Sequence, residues 1–79
     1  MTDRDIDTVV RRAAETCVAI IRMRAHVEPL PGRWRVIAML PGGHTVFGES
    51  DRSDISGLYD AVLECEYRWK RGHQDAVIQ

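Results

Sequence analysis

Apolar residues recur along the first quarter of the chain with a helical period. At 100° per residue, Ile6, Val9, Val10, Ala13, Ala14, Cys17, Ile20 and Ile21 share one broad face. Thr8, Arg11, Arg12, Glu15 and Arg22 lie opposite. The pattern predicts a first helix from Thr2 or Asp3, with Thr2 and Asp5 spaced as a capping box and Asp3, Asp5 and Asp7 at the positive end of the dipole. Arg24 returns to the apolar face, so either the helix ends near it or it has a partner. Pro29 and Pro31 bar helix beyond about His26.

The period then changes to two. Trp34, Val36, Ala38 and Leu40 alternate with Arg35, Ile37 and Met39, a strand that is apolar on both faces over much of its length. Pro41-Gly42-Gly43 supplies a turn, because proline fixes φ and glycine accepts positive φ. Val46 and Phe47 form a shorter second strand that ends at Gly48. A second helix is predicted from about Asp51, where Asp51 and Asp54 have cap spacing, with Ile55, Leu58, Tyr59, Val62, Cys65 and Trp69 as its stripe and Leu63 at the edge. Lys70 and Arg71 suit the negative end of that helix, and Gly72 is placed as its terminator.

These elements make an α+β chain of αββα type, residues 1–72, with two amphipathic helices on one face of a β-hairpin and a loose tail over 73–79. Burial is expected for Ile20, Trp34, Val36, Val62 and Trp69. A two-stranded sheet leaves open edges and one uncovered face. A short third strand over Val27 to Leu30 would cover one edge; otherwise a second copy or a partner covers the sheet. Glu66 falls on the apolar stripe of the second helix, where an unpaired charge is costly. In an antiparallel helix pair, Arg4 and Arg11 are its nearest candidates.

Composition narrows the function classes. The chain is 44% hydrophobic and 29% charged, with a formal net charge of −1, as in a folded domain rather than a disordered tail or a basic nucleic-acid binder. Residues 51–79 hold six acids against four basic residues and form the negative third. Cys17 and Cys65 both fall on apolar helix faces, as buried free thiols of a reducing cytoplasm do, and whether the two pair is not readable from sequence. The longest apolar run, Cys17 to Ile21, is too short to span a membrane.

Catalytic and metal chemistry find no matching pattern. His26, His44 and His73 are isolated, and neither thiol has a base beside it in sequence, so no enzyme activity, metal or cofactor is expected. Two surfaces remain. Asp60 and Glu64 lie opposite the apolar stripe beside Gly57 and Ala61, and with Glu49, Asp51 and Asp54 they outline an acidic strip that small residues would let a protein partner approach. Arg33, Trp34, Arg35 and His44 form the alternative, a hairpin face that would bind a single nucleic-acid strand or regulate transcription.

A small, arginine-rich αββα chain carrying an acidic strip at Asp54, Asp60 and Glu64 resembles the phage-encoded anti-CRISPR proteins that act on type I surveillance complexes. The resemblance lies in size and layout over the whole chain. It implies an inhibitor in the host cytoplasm that docks on a subunit of the Cascade-like effector and blocks loading of target DNA. The near-neutral charge departs from the strongly acidic DNA mimics of that class and points instead to a local interface. A homodimeric accessory subunit is the third class; monomer and homodimer both stand.

Overall fold

The structure, a computed structural model, describes the backbone of residues 3–78 and the side chains of residues 5–74. The element order is α-β-β-β-α. Helix α1 spans Asp3–Met23, strand β1 His26–Leu30, strand β2 Arg33–Met39, strand β3 Thr45–Glu49 and helix α2 Ile55–Ile78. The strands form one antiparallel sheet in the order β1-β2-β3. The third strand is therefore real. β1 carries Pro29 opposite Trp34, a position open to proline because β1 is an edge strand with one side unpaired.

Each connection has a local cause. α1 closes with Ala25 N donating to Ile20 O (2.9 Å) and Arg24 N donating to Ile21 O (3.1 Å), while Arg24 adopts a φ of 52°. This pair of bonds and the left-handed residue after the last turn are a Schellman cap. Between β2 and β3, Gly43 N donates to Leu40 O (3.1 Å) and Gly42 takes a φ of 93°, the tight turn that Pro41-Gly42 predicts. α2 starts at Ile55, four residues later than Asp51, because Asp54 is the residue that caps it: Asp54 Oδ1 accepts the Gly57 N–H at 2.9 Å. Thr2, the expected cap of α1, lies outside the described residues.

The far end of α2 differs from expectation. The helix does not stop at Gly72 but runs to Ile78, so the expected loose tail begins as helix. Gly72 is an interior position where a side chain would meet Leu40, and its missing Cβ lets α2 lie close to the end of β2. His73 belongs to the same helix, its ring centroid 4.2 Å from that of Trp69 and tilted 52° to it.

Three strands between the helices, rather than two, return the chain to its starting direction, so α1 and α2 run parallel. Arg12 stands 5.4 Å over the Tyr59 ring near the start of both helices, and Arg22 reaches Glu66 (3.8 Å) farther along both. That corrects the expected partner Arg11, which lies nearer the start of both helices, while the Arg4 side chain lies outside the described residues. Lys70 supplies a second cation at 3.6 Å.

The core lies between α2 and the inner face of β2 and β3, joined by the last turns of α1. Its buried hydrophobic residues are Ala19, Met23, Val36, Ala38, Ala61, Val62 and Cys65. Ile20, Trp34 and Trp69, expected inside, are half-buried and pack against this cluster. Contact between α2 and β3 is tight at Gly48, where an added Cβ would collide with Ala61 O and crowd Cys65. The two helices therefore do not share the sheet equally: α2 covers it, while α1 lies mainly against α2.

The fit of α1 is rotated from its apolar face. Thr16, Ala19 and Met23 are buried, roughly a third of a turn from the centre of the apolar arc. Ile6, Val10, Cys17 and Ile21 are exposed. Cys17 is thus not a core thiol, and as it lies on the outer side of α1 it does not pair with Cys65; both are free.

Candidate protein-contact site

Of the five carboxylates read as a strip, four converge. Glu49 ends β3, Asp51 sits in the following loop, and Asp60 and Glu64 stand one turn apart on α2; together with Arg33 and Ser50 they line a shallow open groove at the β3 edge of the sheet. Four carboxylates against one cation, Arg33, leave this lining net negative. Asp54 is not part of it. Its carboxylate is spent on the α2 cap and on Arg52 Nη2 (2.7 Å), and the Gly57 N–H, followed by Arg52, holds its pKa below the ordinary carboxylate value of 3.8.

The remaining carboxylates are not equivalent. Glu49 accepts from Arg35 Nε at 2.8 Å and lies 3.6 Å from Arg33. Glu64 pairs with Arg68 at 2.9 Å, one helical turn on. Among the described residues Asp51 and Asp60 take part in no ion pair, and both are exposed. Gly57 and Ala61, expected to flatten this strip for a partner, are buried instead: Gly57 sits against the Arg52 backbone and Ala61 against Gly48. Their smallness serves contacts within the chain.

The alternative set of Arg33, Trp34, Arg35 and His44 is not brought together. Trp34 faces inward toward α2, with its indole N–H shared between Ser53 O (3.1 Å) and Asp54 O (3.2 Å). Arg33 and Arg35 face outward and are held by Glu49, with Glu28 a further 3.8 Å neighbour of Arg35. His44 lies beyond the other end of β2, about 20 Å away at strand rise. Strand alternation alone separates Trp34 from Arg33 and Arg35, so that signal was present in the sequence. The convergence of Arg33 with Asp60 and Glu64 was not, because it needs the strand register and the seat of α2.

Burial pushes the Cys65 pKa up to about 11, and its thiol donates to Val46 O at 3.9 Å. Among the described residues, no three His, Cys, Asp or Glu side chains gather as a metal-ligand set. No described helix is long and apolar enough to cross a membrane. In comparisons with known proteins, the chain matches no family model, no curated protein and no solved structure.

Proposed function

We propose that this chain is a small non-enzymatic inhibitor acting by protein–protein contact through the Glu49, Asp51, Asp60 and Glu64 groove. The reading is that of the anti-CRISPR class it resembles: docking on a basic, nucleic-acid-holding surface of a type I surveillance complex so that target DNA cannot load. The observation that carries it is the pair Asp51 and Asp60, exposed carboxylates without an ion pair among the described residues that face the same groove as Glu49 and Glu64. Folding asks little of either. Desolvated against a cationic partner, such groups form charge-assisted hydrogen bonds worth about 1–3 kcal/mol each.

The test is charge reversal. Asp60→Lys with Glu64→Lys should leave the melting temperature nearly unchanged, since the Glu64–Arg68 pair is worth about 0.3–0.5 kcal/mol. Binding to a purified type I surveillance complex should weaken tenfold or more, with the larger loss at low salt. Adding Asp51→Lys should weaken it further. A triple variant that binds and blocks DNA loading like the parent would show the groove to be a solvated face.

A further inference from the structure

The exposed side of α1 is an apolar feature that the fold leaves unused. Ile6, Val10, Ala14, Cys17 and Ile21 recur at intervals of four, four, three and four residues, so they form one continuous line along the helix. All five are exposed, Val10 at 61% and Ile21 at 74%. The core beneath is made largely of small side chains, while bulkier ones stand outside it. A chain of this size gains little from such a core alone.

From this arrangement we infer that α1 is a dimerisation helix whose occupant is a second copy of this chain, packed antiparallel across a twofold axis. Charge selects both the partner and the direction. The first turns of α1 carry Asp3, Asp5 and Asp7 against Arg4, a balance of −2, and its end carries Arg22 and Arg24, a balance of +2. Antiparallel copies set each acidic start beside the partner's basic end; parallel copies would set like beside like. The apolar line is self-complementary in the same register. Pairing positions whose numbers sum to 27 sets Ile6 against Ile21 and Val10 against Cys17 of the other copy, each contact occurring twice as a twofold interface requires. Such packing would dehydrate the line that α2 and the sheet leave open. The acidic groove lies on the other side of α2, beside β3, so this inference stands apart from the proposed function and can fail separately.

Cysteine cross-linking decides it. Val10→Cys should form a covalent dimer on mild oxidation, through bonds between position 10 of one copy and Cys17 of the other. The parent chain should not, because Cys17 and its counterpart would then stand seven residues, about 10.5 Å, apart along the axis, beyond disulfide reach. Within one chain, positions 10 and 17 are separated by the same distance. Sedimentation equilibrium should give twice the 9.0 kDa chain mass at high concentration. Ile21→Arg should raise the dimer dissociation constant at least tenfold without loss of helical circular dichroism. Ready oxidation of the parent through Cys17 would indicate parallel copies and overturn the arrangement. A parent chain that stays monomeric over an about hundredfold range of concentration, or a Val10→Cys chain that forms no covalent dimer, would overturn it as well.

Discussion

Arg24 holds a left-handed conformation at the end of α1 that an L side chain adopts at a cost of about 1 kcal/mol, and glycine is the usual residue there. Arg24→Gly should therefore raise stability by about 0.5–1 kcal/mol in urea denaturation at a concentration that keeps the chain monomeric. A loss of stability would mean that the arginine side chain supports the monomer. At Asp54 the sign follows from the lowered pKa. The cap is fully present above the ordinary value of 3.8 and is lost as pH falls through the lower folded value. Replacing Asp54 with Ala should lower the melting temperature at neutral pH and bring little change at pH values where the parent carboxyl is already protonated. Asn, which caps as well, should behave like the parent at neutral pH. Cys65, its pKa raised to about 11 by burial, should resist a thiol reagent at neutral pH until the chain unfolds, as mass spectrometry of the labelled protein would report.

At the scale of elements, what was legible in the sequence was the period; what was not was the seat of each element. Both helices and the β2–β3 hairpin follow from their spacing of apolar residues. β1 was harder to read because Pro29 and Pro31 weaken it as a strand, and it becomes one only by pairing with β2. That one strand decides helix direction, and with it why Arg22 rather than Arg11 reaches Glu66. Likewise, the apolar face of α1 was plain, yet its buried side is set by where α2 lies. The groove was half visible: helix spacing placed Asp60 beside Glu64, but adding Glu49, Asp51 and Arg33 required the fold. Removing Asp54 from it required seeing the true start of α2. The tight approach of α2 to β3 at Gly48 gives a sharp test. Gly48→Ala should cost about 3 kcal/mol or more, because its new methyl meets the Ala61 backbone rather than a side chain that can turn aside. Val62→Ala, at a fully packed position, should cost about 2–4 kcal/mol in the same denaturation assay.

On the scale of the whole molecule, the parallel helices line up their dipoles and sort the charge. Asp5, Asp7, Asp51 and Asp54 gather toward the end where both helices start, and Arg22, Arg24, Lys70 and Arg71 toward the end where α1 stops and α2 continues. A partner with a basic groove would thus meet the molecule acidic end first. Stability should be graded along the same body. Amide exchange in dilute solution should be slowest in β2, β3 and the middle of α2, and fastest over the first half of α1, whose side chains are mostly exposed. Uniform protection across α1 in the monomer would contradict the described packing.

The odd number of strands has one more consequence, for chain topology. The described helices begin together, so the start of α1 and the end of α2 lie near opposite ends of a molecule 48 Å long. With only two strands the same helices would bring the chain ends side by side, where a few residues would join them. Here a circular permutant needs a bridge of about a dozen extended residues merely to cover some 40 Å, and more to pass around the body. Permutants made with progressively longer linkers should therefore fold only beyond that length, making loop closure a direct measure of the third strand.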